Sequence, residues 1–468
     1  MGYARLTVQP GDVVEERFRV DERVDSGGMG TVFRGTDLQN GTTVAIKVLG
    51  LEGPSDAERF EREGRVLAGL SHPAIVRFLA SGALAERERY LVMEWVGGET
   101  LAQRLSSEGL DIREAVAMAA RLAEALAAMH THQIVHRDVK PKNVILEQGR
   151  PQSAKLIDFG IARNPHELSS LTRTGVLIGT PGYMAPEQIR GTRDFDGRLD
   201  LFSLGCVLYE SLGGRHPFTG GNPLAVRTKI LFVEPPPVSA LNPEVSRPLS
   251  DLVDRLLEKD PGRRPASAAE VGAALSRLQE KPGTRRPIGR SPIDSSETRS
   301  IAFKAPGSET PVCMVLLGVA EDPLEPDALR ALREERLARM IDAVPANGKV
   351  EVLDDGWSVV TLTGHGSMYD VTANAARFAL RLREEFPADP MAIAALKDPS
   401  SPVGEMIERG ADTATREAME SIFGDAAHHP GLAAIRIDET TVHLLPEQFE
   451  VVRSPGGYYL LGERGIPI

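Results

Sequence analysis

The apolar period of this chain changes near residue 100, and that change limits the folds open to it. Before it, RFRVDERV (17–24), GTVFRGTD (30–37), TTVAIKVL (42–49) and YLVMEWV (90–96) alternate apolar and polar side chains, as strands with one buried face do. Asn40-Gly41 lies between the second and third and signals a hairpin turn. One amphipathic segment, SDAERFEREGRVLAGL (55–70), interrupts the strands, with Ser55 placed to cap its first turn. Beyond residue 100, DIREAVAMAARLAEALAAMHTH (111–132) and RLDLFSLGCVLYESL (198–212) space their apolar residues helically. A small β-rich lobe therefore precedes a larger helical one.

Residues 281–311 carry Pro, Ser, Thr, Gly and Arg without either period, which marks a flexible linker. The division expected is an extension over 1–17, a two-lobed domain over 18–280, the linker, and a second domain over 312–468. That second domain reads β-α-β-β-α-β-α-α-β-β, from VCMVLLGV (312–319) to YYLL (458–461). The order suggests a ferredoxin-like α/β sandwich with one covered sheet face, making the whole chain α+β.

Composition bounds the function. With 26% charged and 41% hydrophobic residues the chain is globular, and a net charge of −12 argues against nucleic acid as its main partner. The only cysteines, Cys206 and Cys313, sit in apolar runs and read as core thiols of a reducing compartment. No run reaches the roughly 18 to 20 apolar residues of a spanning helix, and the first residues show neither a secretory apolar stretch nor a myristoylation signal. These features suggest a soluble cytoplasmic protein without a membrane partner.

Residues 24–35, VDSGGMGTVFRG, concentrate glycine where backbone must approach something or turn sharply. Taken alone, the string fits a phosphate cradle or a plain hairpin. Because TVFRGT after it is itself a strand, the loop caps a hairpin and can close over a ligand as a flap, unlike the strand-to-helix turn of a dinucleotide site. Lys47 in VAIK stands on the next strand, where its ammonium can reach phosphate oxygens. Glu63, on the amphipathic segment, can fix that lysine if the helix packs on the sheet. IVHRDVKPKNVIL (134–146) then sets His136, Arg137, Asp138, Lys140 and Asn143 between apolar flanks, and LIDFG (156–160) adds Asp158 at the end of an apolar strand.

Together GGMGTVF, VAIK, HRDVKPKN, DFG and APE, in that order and spacing, make residues 18–278 resemble a bacterial eukaryotic-like Ser/Thr protein kinase. The resemblance implies a two-lobed kinase fold and transfer of the γ-phosphoryl group of ATP to protein Ser/Thr hydroxyls. It casts Asp138, Lys140 and Asn143 as catalytic, and Asn143 and Asp158 as ligands of Mg²⁺, with Mn²⁺ as an alternative. It assigns nucleotide contact to Val24, Asp25, Ser26, Gly27, Gly28, Met29, Gly30, Thr31, Val32, Ala45 and Lys47, with Glu63 as the partner of Lys47. Met93, Glu94 and Val96 become the hinge beside adenine, with Met93 as gatekeeper. Glu187 is expected to pair with Arg264, and Asp200 to brace the catalytic loop. Lys140 and GTPGYMAPE with Thr180 point to Ser or Thr as acceptor. Thr172 and Thr174 become sites of autophosphorylation, with Arg137 as a cation for the added phosphate. One departure stands out: aligned on Gly27, Gly30 and Val32, the first glycine of the usual loop is Asp25, whose charge is expected to weaken ATP binding.

Residues 312–465 resemble the degenerate class III nucleotide cyclase domains that follow some bacterial kinases, on the run GKVEVLDDGWSVVTL, MAIAAL and the ending LLPEQFEVVRSPGGYYLLGER. Asp355-Gly356 matches one metal aspartate of that family but is also a strong hairpin signal, the favoured reading. Leu317-Gly318 stands where the other metal aspartate is expected. Glu408 and Asp412 stand where an Asn and an Arg are. The resemblance therefore implies a domain without catalysis that regulates or recruits a partner. A pseudokinase scaffold and a bifunctional kinase and cyclase are the competing readings.

Overall fold

The computed structural model describes residues 8–27, 30–50, 60, 64, 68–85, 88–158, 181–192, 196–220, 222–279, 311–318, 326–353, 357–364, 367–387, 389–396, 405–414, 435–454 and 457–464. The first lobe is a six-stranded sheet of β1 (Val13–Val14), β2 (Phe18–Gly27), β3 (Gly30–Asp37), β4 (Thr43–Gly50), β5 (Phe78–Ala85) and β6 (Glu88–Glu94), in the order β1-β2-β3-β4-β6-β5. Its pairs are all antiparallel. Alternation along β2, β3 and β4 gathers Phe18, Val20, Phe33, Val44, Ile46 and Val48 on one buried face.

The β3–β4 connection is the hairpin that Asn40-Gly41 signals, with that pair inside its loop. Only Gly41 of the Asn40-Gly41 pair has positive φ, at 73°, and the Asn40 side chain accepts from the Thr42 N–H at 2.9 Å. The loop runs over 38–42 and uses the left-handed freedom of Gly41 to reverse the chain. Strand β5, FLASGALA, has no period-two pattern to announce it and shifts register twice against β6. Its Gly82 is required by packing, since a Cβ there would lie 2.6 Å from the Tyr90 hydroxyl.

The helical lobe begins after a small sheet of β7 (Gly98–Thr100), β8 (Val144–Glu147) and β9 (Ala154–Leu156). Within it lie α1 (Leu101–Ser107), α2 (Ile112–Thr131), α3 (Pro186–Ile189), α4 (Arg198–Gly213), α5 (Pro223–Phe232), α6 (Val238–Leu241), α7 (Arg247–Leu256) and α8 (Ala268–Gln279). Asp111 and Glu114 form a capping box at the start of α2, and Gly214 in the left-handed conformation ends α4. Leu199 to Leu212 of α4 are buried all round, so this helix forms the lobe's axis. Cys206 on α4 and Cys313 are both fully buried and free, and burial pushes both thiols up, as core thiols require.

The second unit holds β10 (Val312–Leu317), α9 (Pro326–Ala343), β11 (Gly348–Val352), β12 (Ser358–Thr363), α10 (Met368–Glu385), β13 (Met391–Ala395), α11 (405–414), β14 (Ile435–Ile437), α12 (Glu439–Leu444), β15 (Phe449–Ser454) and β16 (Gly457–Glu463). Its seven strands run in the order β11-β12-β10-β13-β14-β16-β15, with β13 and β14 the one parallel pair among them. The sheet is covered on both faces at its centre, not on one. Every residue from Cys313 to Leu317 is buried, although successive side chains point to opposite faces. Helix α11 covers one face so closely that a Cβ on its Gly410 would lie 2.7 Å from Met314 and 3.0 Å from Ala394.

Asp355-Gly356, Ser55 and nearly all of the expected linker, residues 281–310, lie outside the described residues. Among the described residues no helix is long and apolar enough to cross a membrane.

Candidate active site

The segment His136–Asn143 runs from the end of α2 to the start of β8, and buried polar partners fix its path. Asp200, fully buried on α4, accepts from the His136 N–H at 2.9 Å, the Arg137 N–H at 2.8 Å and the His130 Nε2 at 2.8 Å. Arg137 is thereby held at φ 64°, a left-handed conformation that costs a side-chain-bearing residue energy. The fully buried His136 ring accepts from the Asp138 N–H through Nδ1 at 3.3 Å, and its Nε2 donates to the Ile157 carbonyl at 3.2 Å. Those two roles define a neutral imidazole. Burial favours the same state, pushing the ring below its ordinary range against the pull of Asp200 and Asp138.

Asp138, Lys140 and Asn143 converge as the sequence suggests. Asn143 Nδ2 donates to both the Asp138 carbonyl at 2.8 Å and Asp138 Oδ2 at 2.9 Å, and Lys140 Nζ stands 2.9 Å from the same Oδ2. With its nitrogen committed to Asp138, Asn143 keeps the amide oxygen for another ligand.

Two strands bring the remaining pair together. Lys47 lies on β4 opposite Val32 and Leu91, and Asp158 follows β9, whose Leu156 is held by hydrogen bonds to Ala74 and Val76. Lys47 Nζ forms an ion pair with Asp158 Oδ1. Burial alone would raise the Asp158 carboxyl; the charge and hydrogen bond of Lys47, helped by Lys140, outweigh it and hold the group below the usual carboxylate range. Asp158 too is left-handed, at φ 63°.

Above them β2 and β3 form the flap, registered Asp25 to Val32, Ser26 to Thr31 and Gly27 to Gly30. Gly30, at φ 113°, could not carry a Cβ, which would meet the Val48 carbonyl oxygen at 2.2 Å. Val24 is half exposed beside a register shift, and the exposed Asp25 accepts from the Ser26 N–H at 2.8 Å. Ala45 pairs with Met93 across β4 and β6, while Met93 and Val96 are buried. The Glu94 carboxylate is held by Lys155 at 2.7 Å and the Arg77 N–H at 3.0 Å. Gly28, Met29, Glu63, Thr172, Thr174 and Thr180 lie outside the described residues.

The expected Glu187–Arg264 pair is present as a two-pronged contact of 2.7 and 2.8 Å, with the Arg264 side chain fully buried. Two supports escaped the sequence reading. Gln188 donates to the Arg137 carbonyl at 3.0 Å, tying α3 to the His136–Asn143 segment, and His130 adds the third bond to Asp200. Neither sits in a recognisable spacing; a lone His or Gln on an amphipathic helix carries no signal of a partner fifty or more residues away.

The result is two carboxylates, two ammonium groups and an oriented amide beneath a glycine flap, a set suited to handling a polyphosphate and a hydroxyl. Residues 18–274 match the family model described as the protein kinase domain. The chain is 42% identical over 272 residues to the serine/threonine-protein kinase pkn2 of Myxococcus xanthus, covering 56% of this chain and 32% of that protein. It is 39% identical over 276 residues to the serine/threonine-protein kinase PknB of Mycolicibacterium smegmatis, covering 57% of this chain and 44% of that one. The chain thus spans less than half the length of either of these curated relatives. Among solved structures, the Mycobacterium tuberculosis PknI kinase domain aligns at 25% identity with a TM-score of 0.47, over 58% of this chain and 99% of that one.

Proposed function

The chain belongs to the protein kinase family, and we propose that it is a Ser/Thr protein kinase that transfers the γ-phosphoryl group of ATP to hydroxyls of protein acceptors. The observation that carries this reading is the cluster in which Asp138 receives both Lys140 and Asn143 while Lys47 meets Asp158. Two of the curated relatives above are named as Ser/Thr kinases. The Asp138 carboxylate orients the acceptor hydroxyl and takes its proton as the hydroxyl oxygen bonds to the γ-phosphorus. The bond from that phosphorus to the β–γ bridging oxygen breaks, and ADP leaves with the electron pair. Lys140 balances charge on the moving phosphoryl group, and Lys47 exchanges Asp158 for the α- and β-phosphates.

Asp158 and the free oxygen of the Asn143 amide are hard donors that fit Mg²⁺, or Mn²⁺ in its place. Such a cation, when bound, neutralises phosphate charge. Arg137 receives the phosphate of an autophosphorylated Thr172 or Thr174. Two free buried thiols and an ATP requirement fit the cytoplasm.

For the second unit we propose a ferredoxin-like, cyclase-related domain without catalysis. Supporting this, Leu317 is fully buried, and Gly318, where a metal aspartate would stand, is enclosed: a Cβ there would lie 3.2 Å from Trp357 and 3.3 Å from Pro390. Radiolabelled ATP with the purified chain and myelin basic protein tests the whole reading. Labelled acceptor supports the kinase, no label under any divalent cation leaves a pseudokinase scaffold, and cyclic nucleotide would restore the bifunctional alternative.

A further inference from the structure

Glu408 and Asp412, one helical turn apart on α11, both reach the kinase lobe. Glu408 forms an ion pair with Lys229 of α5, whose Nζ also donates to the Thr219 carbonyl at 2.8 Å. Asn222 caps α5 through its side-chain oxygen at 2.9 Å from the Ala225 N–H and, through its Nδ2, donates to Asp412 at 2.7 Å. A second contact comes from edge strand β11. There Glu351, with only 11% of its side chain exposed, takes the Arg190 guanidinium on both oxygens at 2.7 and 3.1 Å. Lys349 from the same strand lies 5.3 Å from the centre of the Phe232 ring at the end of α5. Phe232 and Val350 pack against one apolar cluster that takes in both cores, so the charged contacts surround an apolar join.

The kinase side of this join adjoins the catalytic segment. Arg190 closes α3, the helix whose Gln188 holds the Arg137 carbonyl, and α5 packs on α3 and on the Pro181–Tyr183 turn. That turn belongs to GTPGYMAPE, where the activation segment ends.

We propose that Glu351, Glu408 and Asp412 form an acidic face by which the C-terminal domain docks on Arg190, Lys229 and Asn222, limiting the access of protein substrates to the end of the activation segment. The contact stands on the geometry alone; its consequence rests on the kinase reading. The face fits a basic surface because its three carboxylates are held by a guanidinium, an ammonium and an amide, partly desolvated yet near enough to solvent for salt to weaken them. Glu408 and Asp412 thereby gain a role as docking groups at positions where a cyclase would need cationic and amide groups.

The test compares the full chain with a variant carrying Glu351→Arg, Glu408→Lys and Asp412→Lys. Small-angle scattering at about 0.1 M salt should show the variant expanded, and the wild type expanding likewise at about 0.5 M, where charges are screened within a few ångströms. Phosphorylation is then measured on two acceptors, a peptide copying residues 166–178 and an inactive Asp138→Asn chain of the same docking genotype. The KM for the chain acceptor should fall about fivefold in the variant, with the peptide kcat within twofold of wild type. Adding Arg190→Glu and Lys229→Glu to the variant should restore compactness, which mere unfolding would not allow. Identical scattering profiles at low salt overturn the dock, and an unchanged KM for the chain acceptor despite expansion overturns the access claim. No phosphate transfer by any form, with expansion still seen, refutes the kinase reading and upholds the dock.

Discussion

Asp200 presents one carboxylate oxygen to the N–H of His136 and the other to the N–H of Arg137, at 2.9 and 2.8 Å, sixty-odd residues away in the chain. A residue on the central helix of the lobe thus sets the backbone path on which Asp138 depends. Asp200→Ala is expected to cost about 3 kcal/mol of stability, because two buried amides and His130 lose a charged acceptor. It should also lower kcat at least tenfold by freeing Arg137 from its left-handed conformation. Urea unfolding and single-turnover kinetics check both effects, and Asp200→Asn, which retains one good acceptor, should fall between. A stable Asp200→Ala variant with normal kcat would show that the loop holds itself.

Asp138→Asn and Lys47→Met are each expected to lower phosphate transfer by roughly a thousandfold or more, within the range for loss of a general base or a phosphate contact. Asn143 still has the residue-138 carbonyl to bond, so Asp138→Asn should fold normally. Circular dichroism confirms the fold and a single-turnover assay reads the loss. Near wild-type turnover in either variant would mean the role belongs to another residue.

How much of this was legible follows from where the interactions lie. Lys47, Asp138, Asn143 and Asp158 are visible in sequence because each lies in one of the short strings VAIK, HRDVKPKN and DFG that carry the kinase resemblance, and the proposed phosphoryl transfer would use those groups together. Glu187 and Arg264 are legible for the same reason, one in APE and the other in DPGRRP. Strand β5 was missed because small residues and Gly82 replace alternation where Tyr90 crowds the sheet. The second sheet's extra cover was missed because a fully buried strand such as Cys313–Leu317 has no exposed face to break the apolar run. Glu408 and Asp412 could be read only against a cyclase pattern. Their partners Lys229 and Asn222 lie about 180 and 190 residues earlier, and no local spacing encodes a contact between domains.

Asp25→Gly is expected to lower the KM for ATP about threefold. Asp25 is exposed on flap strand β2 opposite Val32 and accepts from the neighbouring Ser26 N–H, so the change removes one negative charge from the flap that, on the proposed reading, covers the phosphates. Steady-state kinetics with varied ATP reads the change. An increased KM would mean instead that the Asp25–Ser26 turn shapes the flap usefully.

A pH effect should appear in the helical lobe at Asp254. This residue lies in the last turn of α7, where the helix end already disfavours negative charge. Burial, then the like charges of Asp251, Glu234 and Glu258 against the single favourable Arg247, raise its carboxyl to about 6. The folded protein therefore keeps a proton on Asp254 between about pH 4 and 6 that the unfolded chain has lost. Stability from this group is complete below about pH 4 and declines as pH rises to 6. The full shift would amount to roughly 3 kcal/mol at about 1.4 per unit, and solvent screening at this partly exposed site reduces it to about 1. Asp254→Asn, neutral at every pH, should accordingly stabilise the lobe by about 1 kcal/mol at pH 7.5 and by nothing near pH 4. Urea unfolding of wild type and variant at the two pH values measures the difference directly. A variant no more stable than wild type at pH 7.5 would show that solvent, not the neighbouring carboxylates, sets the charge on Asp254.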